Sequence, residues 1–517
     1  MVAPQDIAVD VELDEPDHLD ALLGRAAKAT GYVPAELAGY EIKSRAIDAR
    51  RGRVRLHYVL GPREDAAPEL PLREVSGPPV IIVGAGPAGL FCAYQLARAG
   101  VAAVVLDRGK DVQARRRDLK GLTQGGVVDL DSNYCYGEGG AGTYSDGKLY
   151  TRSHKRGDVR DVIEILVAHG APPEILVDAR PHIGSNRLPK VVTALRERLR
   201  GVGVEVRFGA RVTELVRDAR GAAIGVRTAS GDELLGRAVV VAAGHSATDM
   251  LEVQRAAGAL LEAKPFAMGV RIEHPQPLID RIQYGKAAQH PKLRAAPYRV
   301  AFTPADGRGA YSFCMCPGGW IVPAATEPDG LVVNGMSLSR RDSPYANSGL
   351  VVSIEVADLA RLGLPSPLGG IELQRRLERA AALAGGGGLR APATRATDFA
   401  RGRGSSTVPA TSYQPGLHAC DVAEVLAATG LPLAERLREA LPVFDRQLRG
   451  YLSEEAVLVG VESRTSSPVR VLRDPATLES PTLAGLYPCG EGAGYAGGIV
   501  SAAMDGMRVA RAIVARG

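Results

Sequence analysis

Two stretches of this chain carry residue types at spacings suited to chemistry on a bound nucleotide. The first, Val80 to Gly109, reads VIIVGAGPAGLFCAYQLARAGVAAVVLDRG. Gly84, Gly86 and Gly89 follow an apolar β-branched run and open a helical pattern, and Asp107 closes a second apolar run. That order is a βαβ unit with a dinucleotide fingerprint: Gly84 permits the tight turn, Gly86 admits a pyrophosphate to the backbone, and Gly89 lets helix and strand pack closely. The helix N-terminus presents free N–H groups and partial positive charge to the phosphates, and Asp107 is placed to accept from the adenosine ribose. The second stretch, GLYPCGEGAGYAGGIVSAAMDGMRVARAI from Gly485, reads as a strand to Cys489, a Gly490-Glu491-Gly492 loop and an apolar helix from about Gly498. Its acid suits the ribityl or pyrophosphate side. Its helix N-terminus suits the pyrimidine edge of an isoalloxazine, where negative charge develops on reduction. A nucleotide fold for NAD alone has no use for so distant a second half, so the two stretches together predict FAD as the tightly bound cofactor.

The elements between and around them must position these residues. A glycine-rich loop, YGEGGAGTYSDGKLYTR (Tyr136 to Arg152), carries Ser145, Asp146 and Lys148 on a backbone able to lie against a flat ligand. The spacing predicts helices near Asp158–His169 and Lys190–Arg200. Short strands follow at Val204–Phe208, Arg211–Arg217, Ala223–Thr228 and Glu233–Leu235. Ala238 to Ala243 is apolar throughout, as a central parallel strand is, and Gly244 after it gives a turn that passes under a cofactor. From Phe266 the texture changes to alternating strands (AMGVRIEHP, RVAFTP, YSFCMCPGG, WIVPAA, GLVVNGMSL), predicting an antiparallel sheet outside the nucleotide fold; residues 350 to about 455 read as mostly helical. Upstream, Ile7–Leu13, Asp17–Thr30, Tyr40–Ala49 and Arg53–Leu60 predict a βαββ unit, joined through a linker rich in Pro and charge.

The expected fold class is therefore α/β: a Rossmann-type FAD domain interrupted by a mixed α+β substrate-side domain, with a small N-terminal βαββ appendage. The expected divisions are 1–75 for the appendage, 76–265 for the first part of the FAD domain, 266–480 for the substrate side and 481–517 for the rest of the FAD domain.

Composition bounds the function. The 517 residues suffice for two or three domains, and 45% hydrophobic with 23% charged residues excludes general disorder. A net charge of +5 without a basic tail or block gives no indication of a nucleic-acid partner. The acidic start, MVAPQDIAVDVELDEPD, is not a secretory signal, and no apolar run is long enough to span a membrane. Six cysteines suit a reducing compartment, so the expectation is a cytoplasmic protein. Cys314 and Cys316 form a C-x-C with no companion His/Cys cluster, and no metal site is expected. The absence of C-x-x-C near the fingerprint argues against a disulfide reductase.

Taken with KPFAMGVRIEHPQ, FCMCPGGWIVPAA, VVNGMSLSRRDSPYANSG, GVESRTSSPVRV and PCGEGAGYAGGIVSAAMDG, these stretches resemble the bacterial family of uncharacterised FAD-dependent, or NAD(FAD)-utilising, dehydrogenases. The resemblance covers almost the whole chain and implies a glutathione-reductase-like FAD fold. By matching motif it implies FAD contacts at Gly84, Gly86, Gly89, Asp107, Arg108, Gly140, Asp146, Lys148, Val212, Gly244, Gly490, Glu491, Gly498 and Ile499. Members commonly have Glu where this chain has Asp107, which has the shorter reach.

The expected activity is an FAD-dependent dehydrogenase or reductase passing a hydride between a small organic substrate and flavin N5. NAD(P)H is expected at most as a transient donor, because only one nucleotide fold is visible. The substrate carries an anionic group if Arg464, followed by the hydroxyls of Thr465, Ser466 and Ser467, engages it; pairing with Glu462 is the structural alternative. His274 is the other substrate-side candidate, and the residues name no catalytic acid or base. Rival readings are a flavin monooxygenase, an RNA-modifying flavoprotein and a non-catalytic flavoprotein. A single tryptophan, Trp320, argues against a halogenase. The oligomeric state is left open.

Overall fold

The structure is a computed structural model that describes residues 5–63, 71–151 and 157–516. Part of the Pro-rich linker (64–70) and Arg152 lie outside the described residues.

The nucleotide fold is built on a five-stranded sheet in the order Leu486–Pro488, Ala238–Val241, Ser76–Val83, Val101–Leu106, Glu205–Arg207. All four pairings are parallel. Parallel strands are covered on both faces, which is why Val80 to Val83 and Ala238 to Val241 are buried without alternation. The helix Pro87–Arg98 packs on one face with Leu90, Phe91, Cys92 and Leu96 almost fully buried. Each such large side chain contributes about 1.5–3 kcal/mol of transfer free energy. The helix Ile499–Ala515 lies against it: a Cβ at Gly506 would fall 2.0 Å from the Ala88 carbonyl oxygen, so this crossing needs bare backbone. The far end of the sequence therefore supplies both an edge strand and a packed helix to the fold that begins at Ser76.

A three-stranded antiparallel sheet, Val212–Arg217, Ala223–Thr228 and Glu233–Leu235, follows the strand Glu205–Arg207 as expected. The larger sheet has seven strands, in the order Ala301–Phe302, Ala310–Cys316, Tyr345–Ile354, Phe266–Pro275, Val457–Glu462, Ala391–Arg395, Leu417–Ala419. It is mixed rather than wholly antiparallel, because Leu417–Ala419 runs parallel to Ala391–Arg395. The segments WIVPAA and GLVVNGMSL do not join it. They form a separate hairpin, Gly319–Pro323 with Val333–Ser337. The region read as helical also holds the strands Ala391–Arg395 and Leu417–Ala419, with the helix Ala396–Ala400 between them; short apolar runs of this kind cannot be told from helix by periodicity alone.

At the N-terminus, Ile7–Glu12, Arg55–Pro62 and Tyr40–Asp48 form a three-stranded sheet with the helix Leu19–Thr30 on it. This unit is tied down. Arg45 exchanges backbone hydrogen bonds with Val177 and Ala179 and pairs with Asp178. Its buried side chains are continuous with those under the seven-stranded sheet.

Candidate flavin site

The turn after the strand Ser76–Val83 separates two kinds of glycine. Gly84 has φ 110°, and a Cβ there would lie 2.4 Å from the Ala242 carbonyl oxygen; at Gly89 it would lie 1.9 Å from that of Gly84. Protein packing alone requires these two. Gly86 is different: its φ is −76°, and an added Cβ would meet nothing nearer than Gly140 Cα at 3.8 Å. Gly244, Gly497 and Gly498 likewise face open space. Gly244, at φ 76°, and Gly498, at φ 154°, are held to glycine by their own backbone, whereas at Gly86 and Gly497 bare backbone answers to no neighbour among the described residues. Together the four outline the cradle that a nucleotide cofactor fits.

Asp107 is buried at the end of its strand and holds the cradle together. Its Oδ2 accepts from the Ala85 N–H at 2.9 Å, and its Oδ1 accepts from Gly109 at 2.8 Å and Gly137 at 3.0 Å. One carboxylate thus staples the fingerprint turn to the glycine-rich loop, leaving about one lone pair of the four for a ribose hydroxyl. Arg108 is occupied by Asp131 at 2.8 Å and Asp249 at 2.9 Å, and lies over the Tyr136 ring at 4.5 Å. Val212 is buried, with its side chain in the core.

The glycine-rich loop is shaped by a residue that sequence reasoning passed over. Arg115 is fully buried and has no carboxylate partner among the described residues; its guanidinium donates to the carbonyls of Asn133 (2.8 Å), Tyr134 (2.9 Å), Glu138 (2.8 Å) and Gly140 (2.9 Å). Burial pulls its pKa down and Asp107 opposes this. These four contacts set the loop so that Gly140 lies against Gly86, and Gly142 against Ile499, where an added Cβ would stand 3.0 Å from the Ile499 Cγ1.

Beyond Gly142 the loop turns charged. Asp146 is buried and bound by Ser337, by Arg341 at 2.5 Å and by Lys148 at 3.4 Å. Burial would raise its pKa, but Lys148 and Arg341 hold it below the carboxylate range. Lys148 is pushed the other way: burial disfavours its charge, yet Asp146 and two thiols keep its pKa above the usual value. Its side chain remains 35% exposed, and its Nζ is 3.7 Å from Cys314 Sγ and 3.6 Å from Cys316 Sγ. His182 bridges Lys148 through backbone, and burial followed by Arg341 lowers its pKa to about 4.

The C-terminal stretch closes the far side. A Cβ at Gly492 would lie 2.5 Å from the Gly244 carbonyl oxygen, so the turn after Ala238–Val241 and the loop after Leu486–Pro488 touch through backbone. Gly490 donates to Asp505 at 2.8 Å, which Arg473 grips with both terminal nitrogens. Glu491 stands 3.6 Å from His245. The helix Ile499–Ala515 starts at Gly498, whose φ of 154° turns the chain into it with its first N–H groups free of a side-chain cap.

Thus Gly84, Gly86, Gly89, Asp107 and Gly140 meet at the fingerprint turn, while Gly244, Gly490, Glu491, Gly498 and Ile499 meet them from the other side. The two substrate-side candidates are not brought to this cleft as free groups. Arg464 spends its fork on Glu378, at 2.9 and 2.7 Å, and on Thr326 at 2.6 Å. Its partner is Glu378 rather than Glu462, because Glu462 is taken by the buried Arg271. His274 is wholly buried, donates from Nε2 to the Tyr451 carbonyl at 2.8 Å and packs against the Tyr451 and Tyr298 rings. Burial lowers its pKa to about 4. Among the described residues no group of three His, Cys, Asp or Glu side chains could hold a metal. No helix among them is long and apolar enough to cross a membrane.

Comparisons with known proteins bear on the cofactor. Residues 82–137 match a model for an NAD(P)-binding Rossmann-like domain, 184–329 one for FAD dependent oxidoreductases, and 265–465 one described as FAD-dependent protein, C-terminal domain-like. An "Uncharacterized protein" of Clostridium beijerinckii is 43% identical over 445 residues, covering 85% of this chain and 81% of the relative. Distant likenesses among solved structures include a 3-ketosteroid-delta4-(5alpha)-dehydrogenase from Rhodococcus jostii RHA1, at 14% identity and TM-score 0.33, covering 87% of this chain and 99% of that one. Another is a flavin-dependent brominase, at 12% identity and TM-score 0.37, covering 85% and 79%. Likenesses this distant say nothing of the reaction. The family models and the Clostridium relative do fix the family: the chain belongs to the uncharacterised FAD-dependent oxidoreductases, with FAD as its cofactor.

Proposed function

We propose that the protein is a dehydrogenase or reductase that passes a hydride between a small organic substrate and N5 of FAD. The observation that supports this best is Lys148: a partly exposed ammonium kept charged at the end of the loop that packs on Gly86 and Ile499. A fixed cation there favours negative charge on the reduced ring system, and so two-electron acceptance. When bound, FAD supplies the electron chemistry; Gly84, Gly86, Gly89, Asp107, Gly140, Gly244, Gly490, Glu491, Gly498 and Ile499 would hold it. Arg108, Asp146 and Val212 would support these through the loop and backbone. The same reading divides the chain near 75, 265 and 480, with the seven-stranded sheet on the substrate side. NAD(P)H would reach the flavin only transiently, since the one nucleotide fold is committed to FAD. An anionic group on the substrate would find Lys148 rather than Arg464, whose donors are engaged.

The test is anaerobic. The flavin is photoreduced and then mixed with a panel of unsaturated acids and their amides. Reoxidation by an organic acceptor, faster for acids than amides, supports the reading. No reoxidation by any organic acceptor, followed on admission of air by reoxidation coupled to oxygen insertion into an added substrate, would replace it with a monooxygenase.

A further inference from the structure

The cysteine pair beside Lys148 is the feature that flavin binding does not use. Cys314 and Cys316 end the strand Ala310–Cys316, and pairing with Tyr345–Ile354 slips between Phe313 and Cys316, so the strand is bulged there. Cys314 sits at φ 44°, left-handed backbone that a non-glycine residue adopts only where its surroundings hold it. In a regular strand, residues i and i+2 point to one face with Cα atoms about 6.6 Å apart, near the upper limit for a disulfide. A bulge shortens that span. Cys314 is partly exposed and Cys316 fully buried behind it.

Positive charge converges on both sulfurs. Lys148 Nζ is 3.7 and 3.6 Å from them, and Arg271 Nη2 is 3.7 Å from Cys316 Sγ and 2.7 Å from the Cys314 carbonyl oxygen. The other charged groups facing this cluster are Asp146, bound to Lys148 and Arg341, and Glu462, bound to Arg271. A hydrogen bond from the Cys316 thiol, then Lys148 and Arg271, outweigh burial and hold the Cys314 thiol well below the usual range, whereas Cys316 is held above it. A partly exposed sulfur beside an ammonium, with a buried sulfur two residues on, is the arrangement of an attacking and a resolving cysteine.

We propose that Cys314 and Cys316 form a redox-active dithiol that acts on disulfides and shares its electron pair with the flavin. The Cys314 thiolate attacks one sulfur of a small disulfide; that S–S bond breaks, a mixed disulfide forms, and the departing thiolate takes a proton. Cys316 then loses its proton and attacks Cys314 Sγ, releasing the second thiol and closing the Cys314–Cys316 disulfide. The disulfide substrate has gained two electrons and two protons; the electrons and one proton come from the Cys314 thiolate and Cys316 thiol, and the other proton comes from solvent. FAD, when bound and reduced, would supply the two electrons and one hydrogen that return the disulfide to the Cys314 thiolate and Cys316 thiol. The C-x-x-C that the sequence lacks is thus replaced by a C-x-C whose second half, Lys148, is remote in sequence.

The proposal rests on FAD being bound, which visible absorbance monitors throughout, so loss of flavin is distinguishable from failure of the dithiol. Purified holoprotein is oxidised with 2-hydroxyethyl disulfide, freed of reagent and titrated anaerobically with dithionite. Wild type should consume about twice the reductant per flavin that Cys314→Ser, which lacks the attacking sulfur, consumes. Peptide mass spectrometry should show the 314–316 peptide short of two hydrogens in wild type and carrying a mixed disulfide in Cys316→Ser. Iodoacetamide labelling of Cys314 at pH 6 should fall about tenfold in Lys148→Met. Equal electron uptake in wild type and Cys314→Ser, with flavin content unchanged, would overturn the proposal. So would labelling of Cys314 that rises only near pH 8.5, as for a free thiol, in both wild type and Lys148→Met.

Discussion

Gly86→Ala and Gly89→Ala differ by one methyl group each and should fail in opposite ways. At Gly89 the new Cβ would stand 1.9 Å from a backbone oxygen within the same turn, which no rotamer change relieves. The helix Pro87–Arg98 must then lift from the sheet, and overpacking of this kind costs about 1–3 kcal/mol or more. At Gly86 the φ of −76° suits alanine and the nearest atom is 3.8 Å away. The small loss at a helix N-cap is offset by the lower entropy of the unfolded chain, so the apoprotein should stay within about 1 kcal/mol of wild type. What Gly86→Ala should lose is the flavin. A ligand present at about 1,000 times its dissociation constant stabilises the native state by about 4 kcal/mol, and that increment should disappear from the variant. The assay is paired denaturant unfolding of stripped and FAD-supplemented protein, with flavin fluorescence read as binding. The reasoning is refuted if Gly86→Ala binds FAD within twofold of wild type, or if its apoprotein is as unstable as that of Gly89→Ala.

Three further outcomes are expected. Lys148→Met should lower the flavin midpoint potential by about 30 mV or more, equivalent to about 1.4 kcal/mol for two electrons, and an unchanged midpoint in a spectroelectrochemical titration would place the ammonium out of reach of the ring. His182, with its pKa lowered from the usual 6.5 to about 4 by burial and Arg341, is neutral when folded, so the unfolded chain binds the extra proton between those values. Its contribution is therefore complete above pH 6.5 and lost as pH falls toward 4, amounting to about 3 kcal/mol. Denaturation at pH 7 and pH 4.5 should show a smaller acid loss in His182→Gln than in wild type, and equal losses would contradict the assignment. Arg464→Met should cost about 3–5 kcal/mol by stranding the buried Glu378 carboxylate; a change under about 1 kcal/mol in urea unfolding would show that the pair is dispensable.

The legible part of this molecule was the local part. Gly84, Gly86, Gly89 and the two apolar runs around them encode a strand, a turn and a helix within thirty residues, and the reasons for Gly84 and Gly89 lie within the same turn or one strand away. The C-terminal loop was legible because Gly490, Glu491 and the helix from Gly498 repeat that logic. Arg115 was not legible: its partners are four backbone carbonyls, and any residue type presents a carbonyl. Arg464 and Glu462 sit two apart, which suggests a pair, but Glu462 belongs to a strand whose neighbour carries Arg271, and cross-strand distance won over sequence distance. The thiol pair was visible as C-x-C, yet what gives it chemistry is Lys148, more than 160 positions upstream. The hairpin Gly319–Pro323 with Val333–Ser337 has the alternation of the neighbouring strands, and alternation alone does not say which sheet a strand enters.

The place of Leu486–Pro488 in the parallel sheet has a bearing on how the protein is made. Ribosomes deliver Ser76–Val83, Val101–Leu106, Glu205–Arg207 and Ala238–Val241 long before Leu486–Pro488 and the helix Ile499–Ala515 emerge. Through that interval the sheet has an unpaired edge at Ala238–Val241, and the apolar face of Pro87–Arg98 that later meets the C-terminal helix has no cover. An open edge and a bare apolar face are what chaperones recognise and what aggregates. Synthesis speed across the seven-stranded region, and holdase capacity in the expressing cell, should thus govern yield. A supply of riboflavin should matter only after release, because the cradle lacks one of its walls until the residues from Gly490 to Ile499 have left the tunnel.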